Sequence, residues 1–199
     1  MKKPIKVAIT GKIGSGKTTV CIFLKKQGFQ IFESDKEVRK LLNKKNVINK
    51  VSQLFSVKIE HLFDEKNRLN REVLGNFLFS NKIELKKLED ILYPLLETEK
   101  KKFLEKNSKK KLLFFDIPLL FEKKLHKNFD KIIYLKVNKE IQKQRVLERV
   151  GMNKNKLKQI LFSQRYNLSY FNKYISLRID TSEKKNITNE RLRSFIQTL

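Results

Sequence analysis

Gly11-Lys12-Ile13-Gly14-Ser15-Gly16-Lys17-Thr18 places three glycines, a lysine and a hydroxyl in the spacing G-x-x-x-x-G-K-[ST]. Residues of these types, so spaced, suit phosphate. Successive backbone N–H groups curl into a nest for phosphate oxygens, and a helix starting just after them adds its partial positive charge. Gly11, Gly14 and Gly16 permit turns and a close backbone approach that a Cβ would obstruct. The Lys17 ammonium can reach the β- and γ-phosphates, and the Thr18 hydroxyl can ligate Mg²⁺. Ser15 and Thr19 complete the expected nucleotide-binding set. The apolar run Ile5-Lys6-Val7-Ala8-Ile9 reads as the strand before the loop, and Thr19-Val20-Cys21-Ile22-Phe23-Leu24 as the helix after it, burying Val20, Phe23 and Leu24. The stretch implies binding of a nucleoside triphosphate and leaves the phosphate acceptor open.

Three other places carry residues suited to that chemistry. Asp35 follows the short apolar run Phe29-Gln30-Ile31-Phe32, so it stands at the carboxyl end of a second strand. Ligands bind at that edge in open α/β sheets. There Asp35 can accept a hydroxyl proton or help hold Mg²⁺, or it can simply cap the next helix; both readings stand at this point. Asp116 closes the run Lys111-Leu112-Leu113-Phe114-Phe115 as a Walker B carboxylate does. Arg145 and Arg149 lie four apart on a helix expected from Lys139 to about Val150, which puts both guanidinium groups on one face beside Gly151. Such a pair can cover a transferring phosphoryl group and expel water. Arg71, at a helix start after Asn70, can meet an anion. His61 and His126, with the single Cys21, form no metal or triad pattern.

The elements that must position these groups alternate between strand and helix at both ends of the chain. From Val47 to Lys110 helical spacing dominates, through Val73, Leu74, Phe77 and Leu78, then Leu88, Ile91, Leu92 and Leu95, with Pro94 as an expected kink. This is more helix than a simple crossover needs, so residues of about 45–110 are read as a helical acceptor-binding part. Residues of about 138–165 are read as a lid. Lys131–Val137 and Tyr174–Ile179 are the remaining expected strands, and Leu192, Phe195 and Ile196 mark a closing helix.

The 199 residues suit one domain with insertions. A 40% hydrophobic share argues for a packed core. No run of 18 apolar residues and no signal-like N-terminus is seen, so a cytoplasmic protein without a membrane partner is expected. The net charge of +25 raises nucleic acid as a partner. The lysines are spread along the whole chain without a nucleic-acid signature, so the charge is read as solvated surface and nucleic acid is not the expected partner.

Taken together the segments resemble the dephospho-CoA kinase family. The resemblance rests on Thr10 to Thr19, Glu33-Ser34-Asp35, Leu69-Asn70-Arg71, Leu92-Tyr93-Pro94, Gln144 to Arg149, Gln164, and above all Asp116-Ile117-Pro118-Leu119-Leu120-Phe121-Glu122. It implies a P-loop kinase-like three-layer α/β fold, with a parallel five-stranded sheet, a helical substrate-binding insertion and a lid. It implies transfer of the ATP γ-phosphate to the ribose 3′-hydroxyl of dephospho-CoA, with Mg²⁺. By position, Asp35 is implied as the activating carboxylate, and Lys17, Arg145 and Arg149 as stabilisers of the moving charge. Arg71 and Pro118-Leu119-Leu120 are implied as parts of the acceptor site. Glu33, Tyr93, Val150 and Asn172-Lys173 depart from the family's usual residues. Two alternatives remain: another small-molecule or nucleotide kinase of this fold, and a basic nucleotide-dependent nucleic-acid-binding module.

Overall fold

A computed structural model describes residues 3–199, which divide into two compact units. The first comprises the chain up to Glu33 and from Asn107 onward; the second is Ser34–Lys106.

The first unit is an α/β structure. Its strands are β1 (Ile5–Thr10), β2 (Gln30–Glu33), β3 (Leu112–Asp116), β4 (Lys131–Lys136) and β5 (Leu177–Asp180). They pair in parallel in the order β2-β3-β1-β4-β5, which is the five-stranded parallel sheet that the family resemblance implies. Strand residues alternate between the two faces. Val7, Ile9, Leu112, Phe114, Ile133, Leu135 and Ile179 pack with Val20, Phe23 and Leu24 of α1 (Lys17–Lys26) and with Leu192 near the chain's end. Phe115 belongs to the opposite face and stacks at an angle on Phe32 and Phe129. Each fully buried Leu or Phe here contributes about 1.5–3 kcal/mol of hydrophobic stabilisation. The register aligns Ile9, Glu33 and Asp116 across three neighbouring strands, so β1, β2 and β3 present their carboxyl ends together. Cys21, on α1, is 2% exposed, and burial with the nearby Asp116 and Glu33 charges pushes its thiol up to about 12.

The second unit is helical: α2 (Ser34–Leu41), α3 (Lys45–Phe55), α4 (Arg71–Ser80) and α5 (Lys82–Lys106). Its core is largely aliphatic, with Leu41, Val47, Val51, Leu74, Leu78, Leu88 and Leu92 around the fully buried Phe55. The expected break in the helical pattern at Asn67–Asn70 is wider in the structure, spanning residues 56–70, where Asp64 organises a turn by accepting from the Lys66 and Arg68 N–H groups. Pro94 lies inside α5, which continues past it.

The first unit is completed by α6 (Lys139–Leu147), α7 (Lys154–Ser163) and α8 (Lys185–Gln197). Two expectations shift here. The last strand begins at Leu177, not Tyr174, because residues 168–174 form a tight helical turn. The Tyr174 and Phe171 rings of that turn pack on His126, at 4.5 and 5.0 Å between centroids. Helix α6 ends at Leu147, so Arg149 lies beyond it.

Candidate active site

Between β1 and α1 the glycine-rich loop is seated against β4 and α6. Gly11 has φ +150°, and a Cβ there would stand 2.3 Å from the Leu135 carbonyl oxygen. A Cβ on Gly14 would stand 2.9 Å from Val146 Cγ2. These two contacts leave no room for a side chain, which gives the motif's spacing a steric reason in this fold. Gly16, at φ +83°, is the residue before α1. Lys17 opens that helix, and its ammonium donates to the carbonyls of Gly11 at 2.7 Å and Lys12 at 3.3 Å. It thus lies over its own loop, within the nest's own span. Thr18 and Thr19 are exposed. The Ser15 side chain is buried, and its Oγ has no hydrogen-bond partner among the described residues.

Arg145 donates to Thr181 Oγ1 at 3.1 Å and to the Thr181 carbonyl at 2.7 Å. The Thr181 hydroxyl in turn lies 3.0 Å from the Ser15 carbonyl, so Arg145 is tied to the loop through one side chain. Arg149 is exposed in the turn after α6, so the expected pairing of the two guanidinium groups on one helical face does not form. The reason is local: the N–H of Arg149 bonds the Val146 carbonyl three residues back, which tightens and ends the helix.

At the exit of β3, Asp116 is half-buried and Leu120 fully buried, while Leu119 is 37% exposed. The stretch closes on Glu122, whose Oε2 is buried without a hydrogen-bond partner among the described residues. Burial raises the Glu122 pKa; the N–H groups of Glu122 and Phe121 and the charges of Lys17 and Lys12 oppose that shift. Close by, the Tyr166 hydroxyl lies 3.3 Å from that of Tyr134, and Lys12 stands 5.7 Å from the centre of the Tyr166 ring.

In the helical unit, Asp35 is exposed and is the second residue of α2. It therefore sits within the first turn, where its charge complements the helix dipole, and is not the capping residue. Arg71 is exposed as the first residue of α4, after Asn70, whose side chain accepts from the Val73 N–H at 3.2 Å. That capping bond stabilises the helix start by about 1 kcal/mol.

Sequence reasoning gave no task to Thr181, Gln142, Gln164 or Glu122. Thr181 and Gln142 carry no local signal, since their partners lie far along the chain. Glu122 had a signal in hand, as the last residue of a stretch already singled out.

A family model described as CoaE, dephospho-CoA kinase, matches residues 5–169, which holds the loop, the β3 exit, the helical unit and both helices α6 and α7. The chain belongs to the dephospho-CoA kinase family. A dephospho-CoA kinase of Fusobacterium nucleatum is 34% identical over 158 residues, 79% of this chain and 80% of that protein. One of Helicobacter pylori J99 is 33% identical over 196 residues, 97% of this chain and 96% of that protein. Among solved structures, TT1252 from Thermus thermophilus superposes with a TM-score of 0.84 at 26% identity, covering 100% of this chain and 99% of that one. A shikimate kinase from Acinetobacter baumannii, at TM-score 0.53 and 15% identity over 98% of this chain and 94% of that one, shares the fold alone. For a dephospho-CoA kinase the co-substrate is ATP, in keeping with the loop's chemistry.

Proposed function

We propose that this chain transfers the γ-phosphoryl group of ATP to the ribose 3′-hydroxyl of dephospho-CoA, giving coenzyme A and ADP. The observation that carries the reading is the conjunction of the phosphate loop with the Asp116–Glu122 exit of β3, within a family match spanning residues 5–169.

Little covalent chemistry falls to the protein in such a transfer; positioning and charge do the rest. Lys17 leaves the carbonyls of Gly11 and Lys12 and meets the β- and γ-phosphate oxygens. Arg145, fixed on Thr181, and Arg149, in the turn after α6, neutralise charge as it moves outward. Asp35 accepts the proton of the attacking hydroxyl. Arg71 and Pro118-Leu119-Leu120 contact the acceptor, with the helical part of about residues 45–110 binding it and residues of about 138–165 covering the site. An exposed hydroxyl on Thr18 and a carboxylate at Asp116 are hard oxygen donors, the class that Mg²⁺ takes. The residues present therefore fit the ion, with Thr18 as its ligand. When bound, Mg²⁺ would neutralise part of the triphosphate's negative charge. No helix among the described residues is long and apolar enough to cross a membrane, and we assign the chain to the cytoplasm with its high charge spread as solvated surface.

The test is ADP release from Mg-ATP with dephospho-CoA, adenosine, AMP or no acceptor. Release only with dephospho-CoA, with coenzyme A as product, is expected. Turnover with another acceptor alone would mean a repurposed helical unit. Silence with all four, together with salt-dependent RNA binding, would move the reading to a nucleic-acid module.

A further inference from the structure

Ile13, at the crown of the phosphate loop, has both of its backbone polar groups taken by side chains from far along the chain. Its N–H donates to Gln164 Oε1 at 2.8 Å, and its carbonyl accepts from Gln142 Nε2 at 2.6 Å. Gln142 lies on α6 and is 8% exposed; Gln164 is the residue after α7 and is 6% exposed. The two amides have fixed orientations, because a backbone N–H can only donate and a carbonyl only accept. Both are buried polar side chains, and burying a polar group is favourable only where its hydrogen bonds are made. A Cβ on the adjoining Gly14 would meet Gln142 and Val146, and the Ser15 carbonyl is held by Thr181. Ile13 and Ser15 are thereby gripped from outside the loop, with a closely flanked glycine between them.

We propose that Gln142 and Gln164 are positioning residues for nucleotide binding. By holding the two peptide planes that flank Ile13, they fix the direction of the amides that follow, and so set the phosphate nest before ATP arrives. Because the two glutamines stand at the start and the end of the α6–α7 hairpin, the base of that hairpin and the loop form one body. A swing of the whole segment 138–165 would break both bonds. Movement is instead confined to the turn between the helices, residues 148–153, which carries Arg149 and Gly151 at φ +74°. The covering arginine then moves while the nest stays fixed, an arrangement that keeps phosphate affinity independent of closure. This inference rests on the loop's being the nucleotide site.

The test uses the opposite hydrogen-bonding roles of the two amides. Gln142→Met and Gln164→Met keep length and volume but remove the bond. Each is expected to weaken ATP binding, measured by calorimetry without acceptor, by about tenfold. The KM for dephospho-CoA is expected to stay within about twofold of the parent. Glutamate separates the roles. Gln164→Glu keeps an oxygen to accept from the Ile13 N–H, whereas Gln142→Glu sets an acceptor against the Ile13 carbonyl. Both add the same charge one hydrogen bond from the same residue, so Gln164→Glu should bind ATP at least about fivefold more tightly than Gln142→Glu. ATP affinity within about twofold of the parent in both methionine variants would overturn the proposal. So would equal losses in the two glutamate variants, or a common rise of both KM values alongside a lowered melting temperature. The parent's own titration reports on the nucleotide site, and the variant-to-parent ratios on the clamp, so the two readings fail separately.

Discussion

In the α/β unit, three polar bonds to the loop span the chain: Gln164 to Ile13, Gln142 to Ile13, Thr181 to Ser15. In the helical unit most ion pairs join neighbours one helical turn apart, as in Lys87–Glu84, Lys100–Glu97 and Lys102–Glu99. Lys44–Glu99 and Lys58–Glu84 reach further and also lie at the surface. Exposed pairs contribute little to stability, because water screens them and side-chain entropy is lost in forming them. One unit therefore holds its chemistry with buried side chain-to-backbone bonds. The other is held by its Leu and Val core and presents Asp35 and Arg71 on exposed helix starts. A substitution near the loop should thus act on nucleotide binding or the chemical step, and one at the exposed Arg71 should act on acceptor use while leaving the fold alone.

The comparison can be tested from its strongest side. Lys17→Ala removes the charge that meets the phosphates and should lower kcat by about a thousandfold with melting temperature unchanged; single-turnover kinetics at saturating ATP would check it. Asp35→Asn should lower kcat by roughly a hundredfold or more with ATP affinity unaltered. Near-normal turnover there would remove Asp35 as the base. Arg71→Ala should raise KM for dephospho-CoA by about tenfold and leave KM for ATP alone, the loss of one charged hydrogen bond. A matching rise in both would contradict the separation between the units.

The smallest effect concerns Glu122. Its carboxyl is raised by burial, so between the ordinary carboxylate pKa and the raised one the folded chain binds more protons than the unfolded chain. Stability then falls as pH rises through that window, and the ionised group is a cost at neutral pH. Glu122→Gln should therefore raise the melting temperature of the ligand-free protein at pH 7. The gain should vanish below the ordinary carboxylate range. Thermal melts at a series of pH values would check it.

The loop, the order of strands and helices along the chain, the Asp35 and Asp116 positions and the N-cap region of Arg71 could all be read from the sequence. Each is written in a short window, where a period, a glycine spacing or a turn residue suffices. What could not be read depends on distance. Tyr174 looked like a strand residue because it is aromatic beside Ile175, yet its ring is drawn onto His126. Arg149 fitted a helical spacing, but the helix tightens and stops before it. Gln142 and Thr181 meet the loop only after the chain has closed across 129 and 166 residues. Local patterns carry no trace of such closures. Gln142 and Thr181, which hold the loop from afar, are thus hidden from sequence reasoning, whereas the residues that form the nest are plain.

Cys21 sits one turn along the helix that the loop begins, buried and pushed up to about 12. At neutral pH it is a thiol and carries almost no thiolate, the form that reacts. Alkylating reagents therefore reach it only in molecules that have opened. With no second cysteine to confuse the signal, the chain carries its own clock for unfolding, and ATP, by favouring the closed form, should slow that clock.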